Sequence, residues 1–268
     1  MLKRVVSALV GLVLFFIVMF SEKSVLSIAI LIVTSIALFE VYRAYHFHKI
    51  RILLFLGLLV ALAFSFGNYF EGLTIMAFAF GFLILMVLFL LARHESFSTK
   101  DIGTYVFVTL VITFAFSNIA YLKRLPNGPF YVWLPFIVAW CTDSAAYFAG
   151  RFFGRHKLCE KISPKKTIEG ALGGIAGSVA GLFIYQAVLW FGFQTVVNPW
   201  LLTAMGIVGS VTSQMGDLFA SIIKRENGIK DFGHIMPGHG GIMDRFDSLL
   251  LTTPFVFLFV SIDRKSVV

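Results

Sequence analysis

Long apolar runs recur along almost the whole chain, and they constrain its fold more than any other feature. Of the 268 residues, 59% are apolar and 13% are charged, whereas a soluble domain has roughly 45–50% apolar and about 25% charged residues. A run of about 20 apolar residues crosses the hydrocarbon core of a bilayer as a helix. The sequence therefore predicts an all-α, polytopic membrane protein without a separate soluble domain.

The runs predict about nine transmembrane helices, because shorter runs also span a bilayer when it thins locally. They are Val5–Phe20, Val25–Phe39, Ile52–Phe66, Leu73–Ala92, Ile102–Tyr121, Phe130–Gly150, Gly170–Phe193, Pro199–Ile223 and Phe246–Ile262. The first run follows Lys3 and Arg4 as a signal peptide would. No small-residue cleavage pattern comes after it, so we expect it to remain as the first helix.

The distribution of basic residues predicts the orientation. Most of the 22 Lys and Arg residues fall at the N-terminus and in the even-numbered loops, and basic loops stay in the cytoplasm. We therefore expect a cytoplasmic N-terminus, an inner (plasma) membrane location and an active site that faces the cytoplasm. Residues 1–121 are predicted to be transmembrane helices that act as a scaffold or in dimerisation. Residues 122–268 are predicted to be the catalytic region, with cytoplasmic loops 151–169 and 224–245.

Two acidic residues fall inside predicted membrane helices, where an ionisable side chain is costly unless it faces protein, water or a partner. Asp143 and Asp217 each precede the cytoplasmic end of their helix by the same distance, about 10 Å at the rise of an α-helix. Asp217 also lies on a stripe of small residues, which is typical of a face that packs against other helices. We expect the two acids to meet at one depth, with the glycine face of Gly173, Gly177 and Gly181 packed nearby.

The last polar loop carries two more acids, Asp244 and Asp247, which are three residues apart and so share a helical face. Carboxylates without Cys or His around them suit a hard cation such as Mg²⁺, which takes one or two carboxylates and keeps its other positions for water and phosphate. The run from Pro237 to Gly241 leads into the same helix, and glycine amides near a helix N-terminus suit a phosphate. That run contains His239, which could donate a hydrogen bond to a phosphate. We expect four histidines elsewhere to be ordinary interfacial side chains: His46, His48, His94 and His156.

These residues also form a family signature. The chain reads Ser-Ile-Ile-Lys-Arg from Ser221, Lys-Asp at Lys230, and Pro-Gly-His-Gly-Gly-Ile-Met-Asp-Arg-Phe-Asp from Pro237. It reads Ser-Pro-Lys-Lys-Thr from Ser163. Both segments resemble the phosphatidate cytidylyltransferases, the CDP-diacylglycerol synthases. Ile168 and Met236 depart from the usual family residues by apolar exchanges only.

The resemblance implies an enzyme of phospholipid biosynthesis that uses CTP and phosphatidic acid to make CDP-diacylglycerol and pyrophosphate, with Mg²⁺ and room for a second cation. We assign the metal to Asp217 and Asp244, with Asp143, Asp231 and Asp247 as further candidates. The catalytic residues are predicted to be Asp217, Asp244, Lys224, Arg225, Lys230 and His239. The substrate phosphates are predicted to contact Lys165, Lys166, Thr167, Lys224, Arg225, Lys230, Gly240, Gly241 and Arg245. Membrane lipid is an expected partner and nucleic acid is not.

Three alternatives stay open at this point. A CTP-dependent lipid kinase, or a cytidylyltransferase for another lipid phosphate, would use the same phosphate and metal groups. An ion or anion transporter would also place acids in the membrane, but the polar groups here gather on one side. The glycine faces serve a homodimer and packing within one chain equally well.

Overall fold

The computed structural model describes residues 2–67, 72–194, 197–235 and 240–266. Apolar helices make up most of this part of the chain. The helices of the first half are α1 (Leu2–Phe20), α2 (Lys23–Ala44), α3 (Arg51–Phe66), α4 (Gly72–Ala92) and α5 (Thr99–Arg124), with a 3₁₀ turn at Phe47–Lys49. The second half contains α6 (Gly128–Tyr131), α7 (Leu134–Phe153), α8 (Ile168–Phe193), α9 (Pro199–Glu226), α10 (Met243–Phe246) and α11 (Leu249–Ser266).

The predicted all-α membrane fold is confirmed. Within the described ranges, a long helix covers all or most of each predicted apolar run, and short breaks before Leu134 and before Leu249 interrupt the sixth and ninth runs. Four segments there are long and apolar enough to cross a membrane: Lys23–Ala44, Thr99–Arg124, Gly128–Phe153 and Ile168–Phe193. Shorter apolar helices are Leu9–Phe20, Arg51–Phe66, Ala77–Ala92 and Leu249–Ile262. The count of nine spans is therefore approximate, and α9, which carries Asp217 and many small polar residues, is not among these apolar segments.

The chain divides into two compact units. The first unit contains residues 1–121 together with Asp231–Met243, and the second contains Leu122–Lys230 and Asp244–Val268. The segment Asp231–Met243, named here the signature segment, therefore belongs to the first unit although its chain neighbours on both sides belong to the second.

Tyrosine hydroxyls join the helices of the first unit through hydrogen bonds in an apolar interior. Tyr42 of α2 bonds to Thr109 of α5 at 2.6 Å, and Tyr105 of α5 donates to the Leu53 carbonyl of α3 at 2.8 Å. A buried polar group is costly without a partner, so these bonds fix which helix faces which. Gly57 of α3 makes room for the Tyr42 ring, because a methyl group there would overlap it.

In the second unit α7 packs against α8, and both pack against α9. The predicted glycine face of α8 makes the closest of these approaches. A methyl group added at Gly173, Gly177 or Gly181 would overlap Ala149, Ala145 or Cys141 of α7. Small residues permit this backbone approach, and α11 completes the packing against α7 and α9. The shared apolar core is formed by Leu122, Leu134, Val138, Leu182, Leu202, Met205, Val256 and Val260.

The loop between α7 and α8 forms a small antiparallel hairpin that the sequence did not predict. Strand β1 (Lys157–Cys159) pairs with β2 (Ser163–Thr167), with Lys157 opposite Thr167 and Cys159 opposite Ser163. The Lys157 ammonium donates to the Pro164 carbonyl at 2.7 Å across the turn. The hairpin leads straight into α8.

The start of the last long helix also differs from the prediction. The sequence places Asp244 and Asp247 on one face of a single helix, whereas the one-turn helix α10 ends at Phe246 and α11 begins at Leu249. Asp247 therefore lies in the break between two helices. Its carboxylate turns back to accept the N–H of Ser248 at 2.9 Å, which is a local bond that competes with helix continuation.

Candidate active site

Asp143 of α7 and Asp217 of α9 line one cavity in the second unit, so the prediction that they meet is confirmed. The cavity has a volume of about 360 Å³. Its charged and amide-bearing lining residues are Asp143, Arg151, Lys165, Lys166, Gln214 and Asp217. Each acid thus faces a cavity that also contains basic and amide side chains, and an acid inside a membrane helix is tolerated where it faces such partners.

The hairpin supplies the lysines of this cavity. Lys166 of β2 forms an ion pair of 2.5 Å with Asp217, and both side chains are about one quarter exposed. Lys165 lines the same cavity and is exposed. The predicted grouping of Lys165 and Lys166 with Asp217 is therefore present in the structure, and an anion that entered the cavity would meet two ammonium groups.

Two contacts hold the hairpin against the start of α8. The Thr167 hydroxyl caps α8 by accepting the Gly170 N–H at 3.1 Å, which is a common way to satisfy a free amide in the first turn. Glu169 accepts the backbone N–H groups of Arg155 and His156 and contacts the His156 ring at 2.6 Å. His156 is thus more than an ordinary interfacial side chain, because it joins the two ends of the hairpin.

A second group of charges surrounds Lys224 near the end of α9. Its ammonium lies 3.1 Å from Asp244 and 3.7 Å from Asp247, and these three side chains are between 4% and 13% exposed. Ser248 joins this group to the cavity, because its hydroxyl donates to Asp143 at 2.9 Å and lies 3.5 Å from Asp247. Asp143, Asp217 and Asp247 are close enough to repel one another.

The acids provide an oxygen-only set of donors, which suits a hard divalent cation. In the described part of the chain, no three Asp, Glu, His or Cys side chains form a group that could hold a metal ion. Mg²⁺ commonly takes only one or two protein carboxylates and completes its shell with water and phosphate oxygens. The donor chemistry therefore fits such an ion, and lysines contact Asp217, Asp244 and Asp247 in this structure.

Comparison with known proteins identifies the family. The sequence profile of the cytidylyltransferase family matches residues 2–263. The chain belongs to this family. A phosphatidate cytidylyltransferase of Bacillus subtilis (strain 168) is 31% identical over 268 residues, which are 98% of each chain. Two further phosphatidate cytidylyltransferases match over 130 residues, 48% of each chain: that of Staphylococcus haemolyticus (strain JCSC1435) is 45% identical and that of Staphylococcus aureus (strain COL) 43% identical.

The remaining predicted residues of this cytidylyltransferase family member lie in two places. In the second unit, Arg225 donates to the Ile162 carbonyl of the hairpin turn at 3.4 Å, and Lys230 and Arg245 are exposed. The first unit contains exposed Asp231, half-buried Gly240 and buried Gly241. His239 lies outside the described residues. The roles of these residues stay predictions.

Four residues of the site were missed by the sequence interpretation. Tyr147, Arg151 and Gln214 line the cavity, and Ser248 bridges Asp143 and Asp247. Arg151 was counted only as a basic residue of a cytoplasmic loop, and it donates to the Tyr147 hydroxyl at 2.9 Å. Gln214 and Ser248 are neutral, so a search for charges in membrane helices does not find them. A search for amides and hydroxyls one turn from each acid would have found Gln214 and Ser248.

Proposed function

We propose that this protein transfers the cytidylyl group of CTP to phosphatidic acid, which gives CDP-diacylglycerol and pyrophosphate. The observation that carries the proposal is the cavity in which Lys165 and Lys166 lie beside Asp143 and Asp217 among membrane helices. The lysines of this cavity suit a triphosphate, and its position among apolar helices suits a lipid substrate. Membership of the cytidylyltransferase family and the named bacterial relatives support the same reaction.

The chemistry needs little from the protein beyond placement and neutralisation of charge. An oxygen of the lipid phosphate attacks the α-phosphorus of CTP, and the bond from that phosphorus to the oxygen leading to the β-phosphate breaks. Pyrophosphate leaves with the electron pair. The lipid phosphate is already anionic near neutral pH, so no strong base is required. Catalysis of this kind depends mainly on positioning and on electrostatic stabilisation of the phosphoryl oxygens.

Each cluster has a proposed role in that reaction. Lys165 and Lys166 bind phosphate oxygens from the hairpin side of the cavity, Arg151 adds positive charge to its lining, and Lys224 adds positive charge beside Asp244 and Asp247. Lys166 exchanges its contact with Asp217 for a contact with the triphosphate, which frees that carboxylate. Ser248 keeps the Asp143 carboxylate fixed by its hydrogen bond.

Asp217 and Asp244 are the residues that we propose to hold Mg²⁺, with Asp143 or Asp247 beside them and a second cation as an extension of the same site. Bound Mg²⁺ would neutralise charge on the phosphate oxygens of CTP. The proposed metal ligands come from different elements, because Asp217 is in α9 whereas Asp244 and Asp247 precede α11. The positions of these elements therefore set where the ion would be held. We further propose an inner-membrane location with this site facing the cytoplasm, which the basic loops of the second half support. A role of residues 1–121 as scaffold or homodimer contact stays a prediction.

The test is pyrophosphate release by the detergent-purified protein with phosphatidate, CTP and Mg²⁺. Release that requires both the lipid and CTP, and is not supported by ATP, is the expected result. Omission of lipid and replacement of phosphatidate by diacylglycerol are the controls. Release of CDP without pyrophosphate would instead identify a lipid kinase. No nucleotide product from folded protein would overturn the proposal.

A further inference from the structure

The first unit contains a buried carboxylate to which no role has been assigned above. Glu40 is near the end of α2, and its side chain is 2% exposed. Its two oxygens accept the backbone N–H groups of Ile242 at 3.1 Å and Met243 at 2.8 Å. Both amides belong to the signature segment, and Met243 directly precedes Asp244. A carboxylate in an apolar interior is retained only where such donors satisfy it.

Glycines shape the place that the Glu40 carboxylate occupies. A methyl group added at Gly233 or at Gly241 would overlap that carboxylate, and one at Gly233 would also come within 3.0 Å of the Gly241 Cα. The two ends of the signature segment therefore meet around Glu40, at a distance that only glycine allows.

Arg43 holds the other end of the same segment. It lies one helical turn after Glu40, so the two side chains share a face of α2. The Arg43 guanidinium donates to the Phe232 carbonyl at 2.6 Å, and the Phe232 ring is buried. One turn of α2 thus binds the backbone of the segment near its start and near its end.

We propose that Glu40 is a positioning residue for Asp244. It fixes the backbone of Ile242 and Met243, and the peptide bond that follows transmits this restraint to the carboxylate that pairs with Lys224. A glutamine of the same shape cannot replace it, because its amide offers one acceptor oxygen and a pair of donors. One of the two N–H groups would then face another donor.

The part of this inference that concerns activity rests on the proposed function, so the experiment has one readout that does not. Hydrogen exchange at the amides of Ile242 and Met243 is measured in detergent for the wild type and for Glu40→Gln. Exposed Glu95→Gln is the matched control. We expect exchange at these two amides to be on the order of ten-fold faster in Glu40→Gln, because local opening becomes easier, and unchanged in the control.

Pyrophosphate release is then measured on the same samples. We expect kcat of Glu40→Gln to fall by about 10- to 100-fold, the effect of a small misplacement of a catalytic group. The KM for CTP should stay within about three-fold, because the cavity lysines are untouched. A general loss of structure would change both constants and would also speed exchange in α7 and α8.

Gly233→Ala tests the same contact if Glu40→Gln does not fold, because its methyl group would overlap the Glu40 carboxylate. The same pattern of exchange and activity is expected. Unchanged exchange at Ile242 and Met243 would overturn the proposal, as would faster exchange with normal kcat. If the wild type released no pyrophosphate, the proposed function would fail, and exchange alone would decide whether Glu40 holds the segment.

Discussion

The ammonium group of Lys224 lies 3.1 Å from the carboxylate of Asp244, and both side chains are nearly closed off from solvent. Asp247 approaches the same ammonium at 3.7 Å. One cation therefore balances two acids. Lys224 precedes the signature segment in the chain, and both acids follow it. This arrangement ties the end of α9 to the start of α11, and it gives Lys224 a structural role beside the catalytic role proposed for it.

Removal of the Lys224 charge should destabilise the protein. Lysine has no uncharged isostere among the standard residues. Lys224→Met is therefore the suitable change, because methionine is neutral, unbranched and of similar length. Two mostly buried carboxylates would lose their cation, and we expect a loss of about 3–5 kcal/mol in unfolding free energy. Thermal unfolding in detergent is the measurement, with exposed Lys161→Met as control. An unfolding midpoint equal to that of the control would contradict the prediction.

Asp244→Asn should reduce turnover by at least about 100-fold, the scale of losing a group that stabilises charge in the transition state. The protein should still insert and purify. Mn²⁺ binding is measured by the decrease of the electron spin resonance signal of free Mn²⁺. Binding should weaken in Asp244→Asn and not in Glu95→Gln. Normal Mn²⁺ binding by Asp244→Asn would remove Asp244 from the metal site, whatever its activity.

Glu169→Gln should loosen the hairpin that carries Lys165 and Lys166. The carboxylate accepts backbone N–H groups of Arg155 and His156, and the amide would replace one acceptor by a donor. We expect the KM for CTP to rise by about 3- to 10-fold with a smaller change in kcat, because ground-state binding is affected most. Exposed Glu160→Gln is the control. An unchanged KM would show that the lysines do not depend on this contact.

Gly177→Ala should destabilise the contact between α7 and α8. Its methyl group would overlap Ala145, and overpacking of this kind costs about 1–3 kcal/mol. Gly192→Ala, in the same helix, adds a methyl group that meets nothing within 4 Å, so it should leave stability unchanged or raise it slightly. Equal unfolding midpoints for the two variants would show that the helices can move apart at little cost.

The helices could be predicted from the sequence because each follows a predominantly apolar run, and four of the described segments are long and apolar enough to cross a bilayer. The helix ends could not be predicted in the same way. An apolar run stops at the first charged residue, whereas the helical backbone hydrogen bonds continue beyond it. The second run was predicted to end at Phe39, whereas α2 continues to Ala44. Glu40 and Arg43 fall in that extension, which is why their contacts with the signature segment were missed.

The meeting of Asp143 and Asp217 could be predicted because two acids at equal depth in neighbouring helices need a shared polar surrounding. The hairpin could not, because Ser163–Thr167 contains a proline and two lysines and has no alternating apolar pattern. Its pairing depends on cross-strand contacts, such as that of Lys157 with the Pro164 carbonyl, and on Glu169 one turn into α8. These are tertiary effects that local sequence patterns do not encode.

The break between α10 and α11 has a consequence for biosynthesis. Asp244 and Asp247 leave the ribosome after Lys224, Asp143 and Asp217, since all three precede them in the chain. During translation Lys224 is therefore made before its acidic partners, and Ser248, which donates to Asp143, is made after both of them. The two charge clusters therefore close only after the signature segment has been made, and a nascent chain that stalls before Met243 carries Lys165, Lys166 and Lys224 without the acids that neutralise Lys224.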